Sequence, residues 1–229
     1  MQNPWLNINW ENTIAECDNG VLTIDYCKSK CIDTEDLPEP YTGNVDSNVV
    51  CLNLNPGVNK CNCCFRSNEQ YLKLTKETLE LKIDHSLWFD IINCEKGAMH
   101  SGCDWWQKKT KQLCDAIKPK VLNMFVIEFF PYHSEHAFTF PNLPSNNYRN
   151  YLLKQAMDDG KLIVIMRGEK RWYNIKEDSI GYRLKNEYEN KIVMTNPRSV
   201  YFSEKTIGSK WDLLINSLKR DIVHKHRNS

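Results

Sequence analysis

The sequence has few glycines, no long apolar run and no excess of charge of either sign. Nine glycines among 229 residues leave no Gly-rich loop of the kind that cradles phosphates, and the single Gly168 after an apolar run is not such a loop. No apolar run approaches the length of a membrane span. Basic residues number 30 against 29 acidic ones, so the total charge does not indicate nucleic-acid binding. We therefore expect a globular protein with no membrane partner.

The first twenty residues contain no apolar signal segment, so we expect a cytoplasmic protein. In that compartment the ten cysteines are expected to be reduced thiols. The tightest cluster, Cys61, Cys63 and Cys64, is followed by Cys94 and Cys103 but lacks the paired Cys-x-x-Cys spacing typical of zinc sites. We expect no metal and no cofactor, with a metal-dependent binding module as the alternative.

Positive charge is concentrated near the end of the chain. Such a local patch can contact phosphates without a basic total, but a solvated helix face with a frayed tail explains it equally well. The patch consists of Lys205, Lys210, Lys219, Arg220, His224, Lys225, His226 and Arg227.

Apolar strands that alternate with helices predict an α/β protein with a central four-stranded parallel sheet and helices on both faces. We expect a single domain, 1–229, with an irregular extension over 1–48 that contains a short strand at 20–26 and a loop at 36–46. The predicted strands are 49–54, 121–130, 162–166 and 191–195. The predicted helices are 69–81, 86–92, 105–117, 148–158 and 210–223.

Three of these strands end in a polar residue at or near a proline. The residues are Asn55 before Pro56, Glu128 shortly before Pro131, and Asn196 before Pro197. Because parallel strands end at one edge of a sheet, where open α/β sheets bind ligands, the three side chains can converge. The sequence thus predicts a polar pocket with aromatic walls.

The same three strand ends resemble the uracil-DNA glycosylase superfamily, in particular its mismatch-specific and single-strand-selective branches. The family's first motif, Gly-Ile/Met-Asn-Pro-Gly, is similar to Asn53-Leu54-Asn55-Pro56-Gly57. Its next strand, Phe-Val-His-Asn-His-Cys-Pro-Leu, is similar to Phe125-Val126-Ile127-Glu128-Phe129-Phe130-Pro131-Tyr132. Its last motif, His-Pro-Ser or Asn-Pro-Ser, is similar to Asn196-Pro197-Arg198-Ser199. The resemblance covers about residues 49–207.

This resemblance implies a monofunctional DNA glycosylase, which flips a nucleotide out of the helix and hydrolyses its N-glycosidic bond to leave an abasic site. Asn55 would orient the attacking water, and Asn196 would donate a hydrogen bond to O2 of the departing base. Phe65, Phe129 or Phe130 would stack on the base, beside the substrate-binding residues Asn53, Leu54, Pro56 and Gly57.

The last motif and the residues after it would bind the DNA. Tyr201 or Phe202 would wedge into the base stack while their neighbours hold a phosphate. The predicted DNA-binding residues are Pro197, Arg198, Ser199, Tyr201, Phe202, Ser203 and Lys205. We expect a monomer whose partner is DNA.

Two departures from the family indicate the base. Glu128 replaces the asparagine that reads uracil, and a carboxylate, which only accepts hydrogen bonds, suits the N4 amino group of cytosine. Gly57 stands where the uracil-strict branch has a tyrosine, which leaves room beside C5 of the base. Together they predict a C5-substituted cytosine, such as the hydroxymethylated or glucosylated cytosines of phage DNA, and a role in anti-phage defence.

Several alternatives remain at this stage. Glu128 could pair with Arg167 or Arg171, or it could act as a general base in support of Asn55. His133 and His136 are expected to be solvated or to contact phosphate. The enzyme could instead repair uracil or another deaminated base, or the chain could be a non-catalytic reader of modified bases.

Overall fold

The chain forms a five-stranded mixed sheet with helices on both faces, so the predicted α/β class is confirmed. The computed structural model describes residues 1–9, 11–58, 65, 67–89, 100–118, 122–136 and 138–225. The strand order across the sheet is β1-β3-β2-β4-β5. The strands are β1 Tyr41–Gly43, β2 Val49–Leu52, β3 Phe125–Ile127, β4 Leu162–Ile165 and β5 Lys191–Val193.

Strand β2 lies at the centre of the sheet and is parallel to both of its neighbours, β3 and β4. All four of its residues are fully buried, as expected for an apolar run covered on both faces. All four predicted parallel strands are present, and each is shorter than predicted. Beyond β3 the backbone still bonds across the sheet, since the Phe130 N–H donates to the Leu54 carbonyl.

Strand β1 was not predicted, because prolines and a glycine around it indicated a loop. It pairs with β3 in the antiparallel direction, which makes the sheet mixed rather than four-stranded and parallel. Gly43 allows this close pairing: its φ is +98°, and a Cβ there would lie 1.8 Å from the Met124 carbonyl oxygen. The glycine that predicts a turn is here the residue that fits an edge strand against its neighbour.

Eight α-helices flank the sheet in the described part of the chain. They are α1 Ile24–Ser29, α2 Glu69–Leu79, α3 Ser101–Ile117, α4 Asn146–Asp158, α5 Glu169–Tyr173, α6 Ile180–Tyr182, α7 Glu204–Ile207 and α8 Trp211–Lys225. Shorter 3-10 turns span Glu16–Asp18, Leu87–Phe89, Glu177–Ser179 and Gly208–Lys210, and a π-helical turn spans Arg183–Glu187. No helix among the described residues combines the length and apolar character needed to cross a bilayer.

One strand prediction and two helix predictions need correction. The predicted strand at 20–26 is wrong, because Thr23 caps a helix there: its hydroxyl accepts from the Tyr26 N–H at 3.3 Å and α1 begins at the next residue. Helix α3 begins four residues earlier than predicted, because the His100 ring accepts from the Gly102 N–H at 3.1 Å. Of the predicted helix at 86–92, a 3-10 turn is present up to Phe89, and the remainder lies outside the described residues.

Two apolar cores lie on opposite faces of the sheet, because successive strand residues point to opposite sides. Val49 and Cys51 face the core that includes α3 and α8, whereas Val50 and Leu52 face the core that includes α4. Residues 1–48 contribute buried side chains such as Trp5 and Leu22 to the second core. The carboxyl ends of β2, β3 and β4 are left side by side at one edge of the sheet.

Candidate functional site

A cavity of about 360 Å³ opens at this carboxyl edge, a volume typical of small-molecule sites. One wall follows the strand ends: Asn53 and Asn55 after β2, Glu128 after β3 and Arg167 after β4. The opposite wall is aromatic and comes from the start of α3 and the turn before it: Trp88, His100, Trp105 and Trp106. The predicted pocket edge is therefore present, with tryptophans in place of the predicted phenylalanines.

The Asn55 carboxamide is fixed in one orientation. Its Nδ2 donates to the Pro56 carbonyl at 3.0 Å and to the carbonyl and hydroxyl of Ser134 at 3.3 and 3.0 Å. Because backbone carbonyls only accept, Nδ2 must occupy this side of the carboxamide. No described residue donates to Oδ1, which is left to accept from a ligand or a water molecule.

Glu128 and Asn53 form a buried pair on the same wall. Asn53 Nδ2 donates to Glu128 Oε1 at 2.8 Å, which orients both groups. Glu128 Oε2 and Asn53 Oδ1 are also buried, and neither has a hydrogen-bond partner within the described residues. Two adjacent polar atoms without partners are costly to bury, so this edge is suited to a ligand that supplies the missing hydrogen bonds.

Burial favours the neutral form of Glu128. Its side chain is only 7 % exposed, and burial raises its pKa to about 8, with a further increase from the Glu39 carboxyl. The hydrogen bond from Asn53 and the positive charge of Arg167 oppose this rise. In the protonated form the proton lies on Oε2, because Oε1 accepts from Asn53, and Glu128 then donates to a base instead of only accepting as the sequence predicts. An ion pair with Arg167 or Arg171 is not formed within the described chain.

His133 lies beneath the cavity as a buried cation. Its Nδ1 lies 2.6 Å from the Gly57 carbonyl, and its Nε2 lies 3.0 Å from the Leu37 carbonyl and 3.3 Å from Glu39 Oε1. Since both carbonyls only accept, both ring nitrogens must carry protons. Burial alone would lower the pKa of His133, but Glu39 and the two carbonyls raise it above its usual value. His133 thereby holds the Gly57 segment in place instead of being solvated.

His100, in contrast, is neutral. Burial lowers its pKa to about 3, helped by the nearby charge of His133. Its ring is stacked against Trp88 at 4.6 Å and against Tyr71 at 5.4 Å. Because Nδ1 accepts from the Gly102 N–H, the proton sits on Nε2, which has no partner among the described residues. His100 is thus a fixed hydrogen-bond donor in an aromatic wall.

Arg167 brings a positive charge to the cavity. Its guanidinium lies 5.6 Å from the centre of the Trp105 ring. Its Nε is buried and has no partner in the described part of the chain. Four buried polar atoms without partners therefore belong to residues that line this one cavity: Asn53 Oδ1, His100 Nε2, Glu128 Oε2 and Arg167 Nε. Such a concentration is typical of a polar ligand site.

The three phenylalanines predicted to stack on a base do not line the cavity. Phe65 is buried behind it and packs edge-on against His100 at 4.7 Å. Phe130 is buried in a cluster with Phe140, and Phe129 lies on the other face of the sheet under Arg149. For Phe129 this follows from the alternation of side chains after β3, since Glu128 points to the cavity and the next residue points away from it. Phe130 does not follow this alternation, because it also packs in the core that contains α4. The tryptophans of α3 occupy the expected place.

Asn196 also lies outside the cavity. It is exposed, and its Oδ1 accepts from the backbone N–H groups of Arg198 and Ser199, each at 3.2 Å. The tight turn that follows β5 explains this, since an asparagine before a proline commonly caps its own turn. In this conformation Asn196 does not meet Asn55 and Glu128.

The predicted DNA-binding segment is partly exposed. Pro197, Arg198 and Lys205 are at the surface, and Ser203 caps α7. Tyr201 is 43 % exposed with Lys109 Nζ 3.6 Å from its ring centre. Phe202 is completely buried in the core, so the prediction that it wedges into DNA is wrong.

Within the described residues, no group of His, Cys, Asp and Glu side chains is arranged to hold a metal ion. Cys61, Cys63, Cys64 and Cys94 lie outside those residues. No family model, curated protein or solved structure matches the chain.

Sequence patterns did not assign Glu39, Trp88, His100, Trp105, Trp106 or Arg167 to the site, nor His133 as a positioning residue. Local signals existed for His133, two residues beyond Pro131, and for Arg167, directly after the predicted strand 162–166. Glu39 lies between two prolines in a segment that resembles a loop, and the three tryptophans lie in predicted helices, where aromatic residues commonly pack into the core.

Proposed function

We propose that the chain is a monofunctional DNA glycosylase of the uracil-DNA glycosylase type, which hydrolyses the N-glycosidic bond of a flipped, C5-substituted cytosine and leaves an abasic site. The observation that supports this most strongly is the buried pair of Glu128 and Asn53: both residues line the same cavity as Asn55, and each keeps a buried polar atom with no partner among the described residues. The cavity volume of about 360 Å³ suits a nucleobase with a substituent.

Neutral Glu128 changes how the base is read. Its Oε2–H can donate to N3 of cytosine, while the N4 amino group donates to Asn53 Oδ1 or Glu128 Oε1. The same donor and acceptor also complement uracil, where O4 accepts and N3–H donates. A repair glycosylase for uracil is therefore the second candidate, and the neutral state of Glu128 is the observation that favours it.

Glu128 acts as an acid in this proposal. As the bond from C1′ to N1 breaks, the electron pair moves onto the pyrimidine, and the proton of Glu128 moves to N3 so that a neutral base departs. A protonated carboxyl group cannot take a proton from water, so the alternative role as a general base is disfavoured at neutral pH. Asn55 Oδ1 accepts from the attacking water and orients it toward C1′. As the C1′–O bond forms, the water loses one proton to the surrounding solvent and leaves a hydroxyl group on C1′, and Glu128 regains its proton from solvent.

Arg167 takes the role that the family resemblance gave to Asn196. Its guanidinium lines the cavity, whereas Asn196 caps an exposed turn. A fixed cation beside the departing base stabilises the negative charge that develops in the transition state. Asn196 and the exposed residues after it are assigned to the DNA backbone instead.

The space for a C5 substituent lies beside Gly57. A Cβ on this residue would meet no atom of the described residues within 4 Å, and its carbonyl is held by His133. A hydroxymethyl or glucosyl group at C5 can extend there without displacing the protein. Uracil and unmodified cytosine leave this space empty, so the proposal favours the modified bases of phage DNA.

The proposal is tested with duplexes that carry one uracil, cytosine, 5-hydroxymethylcytosine or glucosylated 5-hydroxymethylcytosine. Abasic sites are detected by cleavage of the strand with alkali. We expect abasic sites from the modified cytosines with the native chain, and none with Asn55→Ala, which should still bind the duplex.

Abasic sites from uracil alone would select the repair alternative. Binding without any cleavage, unchanged in Asn55→Ala, would indicate a reader and would contradict the proposal. The exposed Glu135→Gln variant at the mouth of the cavity serves as the matched control.

A further inference from the structure

A second groove, of about 470 Å³, opens on the other face of the sheet at the same carboxyl edge. We name it the α4–α5 groove; it is formed by Phe129 and Phe140 at its floor with Arg149, Arg171 and Lys176 around them. Glu128 and Phe129 are consecutive, so one residue of the chain faces the cavity and the next faces the groove. The two sites are therefore joined at the end of β3.

Arg149 is a buried cation in this groove, and the groups that accept its hydrogen bonds are all neutral. It is 8 % exposed, and its guanidinium donates to the Phe129 carbonyl at 2.6 Å, to Asn146 Oδ1 at 3.1 Å and to Asn150 Oδ1 at 2.8 Å. No carboxylate forms an ion pair with it in the described chain. Burial lowers the pKa of Arg149 to about 9, with Glu177 opposing this shift. A buried cation without a counter-ion favours an anionic ligand.

Two further cations surround Arg149. Arg171 uses one N–H to bond the Phe138 carbonyl at 2.6 Å, and its guanidinium lies 4.4 Å from the centre of the Phe140 ring. Its other N–H groups have no acceptor among the described residues. Lys176 is exposed and forms no ion pair there. Glu177 is the only acidic residue among the described residues that line the groove, so three positive charges face one negative charge there.

The ring of Phe140 is covered on both sides, which limits what the groove can bind. Arg171 lies over one face, and Phe130 is stacked on Phe140 at 4.6 Å with an interplanar angle of 1°. A base therefore cannot stack on Phe140. The donors that remain belong to an arginine fork, whose geometry matches phosphate oxygens.

We propose that the α4–α5 groove binds a backbone phosphate of the DNA strand next to the flipped nucleotide. This rests on the proposed function, because it assumes that the base occupies the cavity on the other side of Glu128. A strand that crosses the carboxyl edge of the sheet reaches both sites, and the groove then fixes the register of the strand. The groove would thus be a second DNA contact, besides the exposed segment 197–205, and the two contacts lie on opposite sides of the sheet.

The test compares the double variant Arg171→Gln with Lys176→Gln against a control, Lys28→Gln with Lys30→Gln, which removes the same charge from exposed positions at the end of α1. Arg149 is kept because its buried bonds support the fold. Binding of a fluorescein-labelled duplex with 5-hydroxymethylcytosine is measured by anisotropy between about 50 and 200 mM salt. The Asn55→Ala background prevents turnover.

We expect the groove variant to bind more weakly at low salt, with a slope of log Kd against log salt lower by about one to two units. The control should keep the native slope. Equal slopes in all three proteins would overturn the proposal. The proposal would also be overturned if inorganic phosphate raised the melting temperature of the native chain but not of the groove variant, while both proteins bound DNA equally. That result would identify a site for a free anion.

The outcomes also separate this inference from the proposed function. If no base is released from any duplex but the groove variant loses salt dependence, the glycosylase proposal fails and the DNA contact stands. If modified cytosine is released normally and the slope does not change, only the groove is refuted.

Discussion

Replacement of Glu128 by glutamine should remove much of the pH dependence of folding. The pKa of Glu128 rises from 4.5 to about 8 in the folded chain, chiefly through burial. Below pH 4.5 both the folded and the unfolded chain hold the proton. Between these values only the folded chain holds it, so the free energy of unfolding falls as pH rises, by about 1.4 kcal/mol per pH unit. Above about pH 8 this loss levels off at a ceiling on the order of 5 kcal/mol.

Glutamine is a close match to the protonated acid. Its carbonyl can accept from Asn53 Nδ2 as Oε1 does, and its NH₂ replaces the Oε2–H. We therefore expect Glu128→Gln to match the native stability near pH 5 and to exceed it increasingly toward pH 9, while the remaining slope comes from other groups such as Glu39.

The assay is urea unfolding followed by tryptophan fluorescence at several pH values from 5 to 9. Glu135→Gln, which removes an exposed carboxylate at the mouth of the same cavity, serves as the control and should run parallel to the native curve. If Glu128→Gln also runs parallel to the native curve, Glu128 is not held neutral by burial, and the proton that the proposed mechanism uses is not present.

Five further outcomes are expected. Gly57→Tyr should abolish release of C5-substituted bases while Gly57→Ala retains it, because the space beside Gly57 is open; alkali cleavage of product strands measures this. His133→Leu should destabilise the chain to urea by roughly 3–5 kcal/mol, because it leaves two carbonyls and a buried carboxylate without their partner. Arg167→Gln should reduce kcat by about 10²-fold, which single-turnover rates measure. Asn196→Ala should raise KM more than it lowers kcat, which steady-state rates measure. The rate of base release should fall by about tenfold per pH unit above pH 8, and a rate that stays constant to pH 10 would exclude Glu128 as the acid.

The sequence predicted the strands better than the walls of the site. The apolar runs around Val49, Phe125 and Leu162 indicate buried strands, and Pro56 and Pro131 stop the first two of these runs. That logic placed Asn55 and Glu128 at one edge correctly. It failed for Asn196, because whether an asparagine before a proline faces a cavity or caps its own turn depends on backbone angles that the residue types do not determine.

The charge state of Glu128 could not be predicted from local sequence. It depends on burial and on Glu39, which is 89 residues away in the chain and reaches the cavity only because β1 pairs with β3. The aromatic wall was missed for a similar reason. The Trp105–Trp106 pair lies in a predicted helix, where aromatic residues commonly pack into the core. Only the three-dimensional position of α3 brings the pair to the cavity. Roles that depend on contacts between distant segments are the ones that sequence patterns leave open.

The most direct test of the account is mass spectrometry of the bases released from phage DNA in which cytosine is unmodified, hydroxymethylated or glucosylated. The account predicts release of the modified cytosine from the second and third DNA, little from the first, and none with Asn55→Ala. Release of uracil only, or equal release by the native chain and Asn55→Ala, would contradict it.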